Sequence, residues 1–199
     1  MNITQLSFIF GSKTKAQEIL YLLNDVKKVV RQGFYQSELP SVSRFCQQNG
    51  LTLVKSKFKV LLADETSYSN KGIRIKWDDP RPGMYFVYIS KNEKDAWLAS
   101  YFELVKNDTD LGLILGYPSC CVEFFCKRFS ENNPNLELRP TTVFTNLSRR
   151  KQDIVLISHF PCSSDCKNSI EAGKKYLDVI LMNDRERAEE LMASLRTPK

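Results

Sequence analysis

Four cysteines and the only histidine are the residues of this chain best suited to chemistry. Cys120 and Cys121 follow Tyr117-Pro118-Ser119, and Cys162 and Cys166 follow His159-Phe160-Pro161. Each segment runs aromatic residue, proline, then cysteine and serine. Proline keeps the preceding residue out of helical geometry, so both segments read as sharp turns into a helix. The thiols then lie at or within the first turn of two helices. Unpaired N–H groups and the positive end of the helix dipole stabilise a thiolate there. A thiolate is both a metal ligand and a nucleophile, so the placement matters under either chemistry.

His159, Cys162 and Cys166 can face one ion, with Cys120 or Cys121 completing a set of four. Zinc accepts such Cys/His sets; an iron–sulfur cluster prefers thiolates, of which enough are present. The spacing H-x2-C-x3-C is not the tight C-x2-C knuckle, so the case rests on density and placement. Adjacent residues on a helix diverge by about 100°. One of Cys120 and Cys121 is therefore expected to face a shared ion.

In a metal-free alternative, Cys121 or Cys162 attacks a substrate or a disulfide, with Glu123 or Asp165 as general acid or base. Acidic residues in a first helical turn are also ordinary dipole partners. Ser119 is expected to cap the first helix, and Ser163 or Ser164 the second. Ser119 and Ser163 would then support the groups that hold a cofactor. Cys46 and Cys126 read as core, because each lies on an apolar helix face: Val42, Phe45 and Cys46 in one, Val122, Phe125, Cys126 and Phe129 in the other.

A chain of 199 residues fits one domain of 1–199 and can bury a core without disulfides. Ile3–Phe10 is too short and lacks the basic leader of a secretory signal. No apolar run approaches the roughly 20 residues of a membrane helix. The expectation is a soluble cytoplasmic protein with reduced thiols and no membrane partner. The net charge of +6 favours anionic partners weakly. Lys55, Lys57 and Lys59, with Arg149-Arg150-Lys151, could contact phosphates, and Phe58 could stack on a base. No recognised nucleic-acid motif accompanies them, and alternating lysines also mark a solvated strand face. An RNA- or partner-binding module with structural cysteines is thus a third alternative, beside an enzyme acting on a small molecule. P-loop, GxGxxG and GxSxG patterns are absent, which removes the usual support for nucleotide hydrolysis, Rossmann redox chemistry and serine hydrolase chemistry.

The elements that must position these residues read as α/β or α+β, a mixed sheet flanked by helices with a cysteine-bearing C-terminal helical part. Ile3–Phe10 reads as a strand. Thr14 and Gln17 form a capping-box pattern that opens a helix to about Arg31, ended by Gly33. Pro40 starts a short helix closed by Gly50. Leu51–Leu62, Gly72–Trp77 and Met84–Ser90 read as strands, with a turn over residues 78–83. Asn92 caps a helix to about Lys106, with Trp97 and Tyr101 on its core face. A helix is expected over about Cys120–Phe129, and an irregular stretch over Asn132–Arg150. A buried strand over Asp153–Ser158 and a long helix from about Ser164, broken near Asn183, complete the chain. A sheet-containing part over 1–107 and a cysteine-rich part over 108–199 form one possible division.

Leu115-Gly116-Tyr117-Pro118-Ser119-Cys120-Cys121-Val122-Glu123-Phe124-Phe125, together with His159-Phe160-Pro161-Cys162-Ser163-Ser164-Asp165-Cys166, resembles the signature of a small prokaryotic, largely archaeal family of unknown function. The resemblance spans chiefly Gly112 to about Ser169. It implies that the two cysteine segments belong to one unit, and it implies no reaction or cofactor.

Overall fold

Ile3–Phe10 is a helix, α1, and not the strand its apolar run suggests. The computed structural model describes residues 2–62, 72–130 and 132–196. Asn2 and Gln5 form a reciprocal capping box at the start of α1, and Gly11, at φ 80°, closes it. Ile3, Leu6 and Phe10 fall at i, i+3 and i+7 and are buried. The run has no period-2 alternation, so caps and helical spacing decide its form.

The chain continues through α2 (Lys13–Leu23), β1 (Val29–Phe34), α3 (Leu39–Gln48), β2 (Thr52–Leu62), β3 (Gly72–Lys76) and β4 (Met84–Ser90). It ends with α4 (Glu93–Leu104), α5 (Asp108–Ile114), α6 (Ser119–Arg128), α7 (Lys167–Asn183) and α8 (Arg185–Leu195). The class is α+β. The expected mixed sheet is antiparallel in every pairing, with strand order β1-β4-β2-β3. Among the described residues no helix is long and apolar enough to cross a membrane. Two compact units are present: 27–116, and 1–26 together with 117–199.

The unit 27–116 holds the sheet. The helix expected to run to Arg31 stops at Leu23, because Asn24 and Asp25 break it, the latter at φ 61°. Ser12, rather than Thr14, caps it. The β-branched run Val29-Val30 then enters β1, where Gly33 pairs with Phe86 instead of ending a helix. Asn92 caps α4 as expected, by accepting from the Lys94 amide. Trp97 and Tyr101, expected in the core, are 53% and 57% exposed. The buried face of α4 is instead Ala96, Ala99 and Glu103. Small side chains let the helix approach the sheet closely, which turns the large aromatics outward.

Glu103 is 7% exposed and accepts from Arg31 Nε and Nη2 at 2.5 and 2.6 Å, and from the Tyr88 hydroxyl at 2.9 Å. Arg74 donates to the Glu103 carbonyl at 3.1 Å. Arg31 lies over the Phe86 ring and Arg74 over Phe58, so each cation is sandwiched between ring and carboxylate. Burial and the Glu103 charge push the Tyr88 hydroxyl well above its ordinary range.

The unit 1–26 with 117–199 is helical. Tyr21 of α2 stacks on Tyr176 of α7, with ring centroids 4.3 Å apart. Residues 154–157 are buried as expected, but no strand forms there. Side chains meet part of their backbone: Gln17 donates to the Val155 carbonyl at 2.9 Å and Tyr21 to that of Leu156 at 3.3 Å, while Arg187 donates to the carbonyl of Asp153 just before them. Gln17 Oε1 in turn accepts from Arg187 at 2.6 Å. The long C-terminal helix breaks where expected. Asp184 caps α8 through one carboxylate oxygen, and the other accepts the Ile3 amide of α1 at 2.8 Å. Gly173 of α7 lets the short turn 143–145 sit close, since a Cβ there would meet the Phe144 carbonyl at 3.2 Å.

Replacing Glu103 with alanine strands two arginines and a tyrosine. The expected loss is about 2–3 kcal/mol, because the arginines remain partly solvated. Urea unfolding of Glu103→Ala checks this, and an unchanged midpoint contradicts it.

Candidate metal centre

The start of α6 is fixed by Pro118. Ser119 is its first helical residue and is exposed, and Pro118 holds the cap position without a side-chain bond. Cys120 and Cys121 therefore occupy the second and third helical positions, and the Cys121 amide donates to the Pro118 carbonyl at 2.8 Å. Cys166 holds the cap position of α7. Ser163 and Ser164 do not cap it; they build the turn before it. The Ser163 carbonyl accepts the Cys166 amide at 3.1 Å. The Ser164 carbonyl accepts the hydroxyls of Thr141 at 2.9 Å and Thr145 at 2.6 Å. Polar groups from the irregular stretch thus pin the loop that carries Cys162 and Cys166.

The sulfurs of Cys120, Cys121, Cys162 and Cys166 all lie within 4.8 Å of one another. Three separations are 3.9 Å (Cys120–Cys121), 3.8 Å (Cys120–Cys166) and 3.6 Å (Cys121–Cys166). Both members of the adjacent pair face the cluster, where one was expected. A divergence of about 100° around a helix separates the two Cβ atoms only modestly, and the sulfurs lean together. Cys121 and Cys166 are buried, and Cys120 and Cys162 are partly exposed.

His159 is not among the four. Its Nε2 lies 2.8 Å from the Ser169 hydroxyl, which lies 3.2 Å from the Cys121 sulfur. A hydroxyl has one proton to give. If Ser169 donates to a Cys121 thiolate, it must accept from His159, which fixes the proton on Nε2. The Tyr117 ring packs on His159 at 5.3 Å. Further donors reach sulfur, among them the Cys162 amide to Cys121 at 3.3 Å and Asn168 Nδ2 to Cys120 at 3.4 Å. Ser169 and Asn168 carry no sequence signal of their own. Their spacing offered one, since they follow Cys166 by three and two residues within the first turn of α7.

Burial pushes the Cys121 thiol well up, against the pull of Ser169 and the Cys162 amide. Burial, and then hydrogen bonds to the Cys166 and Cys120 thiols, raise Cys162 to about 11. Burial opposes ionisation of Cys166 too, but the Ser169 hydroxyl and amide, with the neighbouring thiols, bring it down to about 7.

The other sequence candidates lie apart from the sulfurs. Glu123 is exposed on α6 and pairs with Lys127 at 2.5 Å. Asp165 is exposed on the loop. Cys126 is exposed and not in the core, because α6 buries only Cys121 and Val122. Cys46 is buried in α3 as expected, and burial lifts its thiol to about 12. Lys55 and Lys57 are exposed, whereas Lys59 turns inward at a register shift in β2 and donates to the Asp79 and Arg81 carbonyls.

The molecule is an α+β protein with four thiols converging from two helix starts and the loop before the second, a group able to hold a metal ion. The chain belongs to the family described as "Protein of unknown function (DUF483)", whose model matches residues 94–196 and so includes all four cysteines. No curated protein and no solved structure matches it.

Ser169→Ala removes the link between His159 and Cys121 while leaving the fold of α7 intact. The expected cost is about 1–3 kcal/mol in urea unfolding, since a buried ring nitrogen loses its partner. Wild-type stability in this variant would show that the His159–Ser169 bond is not made.

Proposed function

We propose that Cys120, Cys121, Cys162 and Cys166 bind one zinc ion, in a closed centre that fixes the starts of α6 and α7 to the loop between His159 and Cys166. One observation carries this reading. A tetrahedral ion with sulfur arms of about 2.3 Å has S···S edges of about 3.8 Å, and three sulfur pairs stand 3.6–3.9 Å apart. An iron–sulfur cluster places several iron and sulfide ions between its thiolates and needs the sulfurs further apart than one ion does. Four sulfur ligands leave no open coordination position, which favours a structural role over Lewis-acid catalysis. His159 then acts behind the ligands, orienting the Ser169 hydroxyl toward Cys121. Such a centre suits a reducing intracellular compartment.

Protein purified anaerobically is expected to carry one zinc per chain by elemental analysis. Cys166→Ser is expected to lose most of it, and Cys126→Ser to keep it. Chelation should lower the urea midpoint without abolishing the helical signal, because α1 packs on α2, α2 on α7 and α7 on α8 apart from the cysteines. Protein with no bound metal and four freely alkylated thiols would transfer the site to metal-free thiol chemistry.

A further inference from the structure

We infer that the face of the 1–26 and 117–199 unit beside the cysteines binds single-stranded nucleic acid. Phe129, Phe125 and Phe160 form a row of stacked rings. Phe125 and Phe129 have centroids 4.6 Å apart at 22°, and Phe125 and Phe160 are 6.4 Å apart at 8°. The Arg150 guanidinium lies 5.6 Å from the Phe160 centroid and extends the row. Phe160 is buried, whereas Phe125, Phe129 and Arg150 are half-exposed. A row of near-parallel rings, two of them half-exposed, with a guanidinium at one end is a natural continuation of a stack of bases.

Charge points to the same partner. Between Phe124 and Gln152 the sequence has six basic residues (Lys127, Arg128, Arg139, Arg149, Arg150, Lys151) against two acidic ones. The remainder of this unit carries nine basic and eleven acidic residues. Positive charge is therefore concentrated on the segment that also carries two of the rings and Arg150. Lys127 and Arg128 immediately precede Phe129, and Arg149 and Lys151 flank Arg150, all four exposed. Phe129 ends the row and is the ring on which a base would stack; Arg149, Arg150 and Lys151 offer partners to phosphates, whereas Lys127 is paired with Glu123. Bases in a duplex already stack on one another and present no face, so the unpaired strand is the form that fits.

The surface goes beyond the zinc reading, though an ion would hold Phe125 of α6 in register with Phe160. The test uses the full chain as purified, with a fluorescein-labelled 12-nucleotide uridine RNA, the matching thymidine DNA, and a duplex of the same length. Fluorescence anisotropy at low salt is expected to show binding of one or both single strands, and weaker binding of the duplex. Phe129→Ala should weaken the single strand about tenfold, while Phe129→Tyr, which keeps the ring, should retain it. Replacing Arg149, Arg150 and Lys151 together with glutamine should flatten the slope of log affinity against log salt by about 2, given roughly 0.7 per phosphate contact. No binding at low salt overturns the inference. So does binding that is equal for the duplex, or that is unchanged in both Phe129→Ala and the triple variant. Elemental analysis of the same samples reads the zinc proposal separately: zinc without binding removes only this surface, and binding without zinc removes only the ion.

Discussion

Four sulfur atoms within 4.8 Å of one another are a constraint on everything around them. As thiols they pack as weakly polar neighbours. As thiolates they repel strongly, and only a cation among them makes that arrangement favourable. To bring them together, two segments more than 40 residues apart must meet with both helix starts aimed at one point. Much of the surrounding structure serves that meeting. Pro118 sets the start of α6, the Thr141 and Thr145 hydroxyls hold the Ser164 carbonyl, and Gly173 admits the 143–145 turn against α7.

The same unit shows how an irregular chain can be buried. Residues 154–157 pass through the core without a strand partner; Gln17 and Tyr21 meet the Val155 and Leu156 carbonyls, and Arg187 meets that of Asp153 just before them. Arg187 is buried and is itself held by Gln17 and Glu190. This polar frame ties α2, α8 and the segment leading to His159 together. It is a matched set whose members are each costly to remove alone.

Local signals in the sequence were reliable where a short-range mechanism decides. Asn92 as a cap, Gly50 after α3, the turn at 78–83, the three strands β2 to β4 and the break near Asn183 all follow from such rules. They failed where tertiary packing decides. Apolar content alone could not tell the α1 helix from a strand, nor the 153–158 segment from one. The large aromatics Trp97 and Tyr101 lie on the outward face of α4 because its inward face is made of alanines and a glutamate that meets Arg31. At the site, proline and cysteine spacing placed Cys120 and Cys121 in the first turn of α6 and Cys166 at the start of α7, but Cys162 lies in the loop before that helix. The spacing could not show that Cys120 and Cys121 both turn toward Cys166, or that Ser169 joins His159 to Cys121, since the contacts of Cys120 and Cys121 with Cys166 and Ser169 cross 45 or more residues.

X-ray absorption at the zinc edge of the purified protein tests the central claim most directly. The account predicts one shell of four sulfurs at about 2.3 Å with no metal–metal scattering. A shell containing nitrogen or oxygen, or iron with a neighbouring iron in place of zinc, would contradict it.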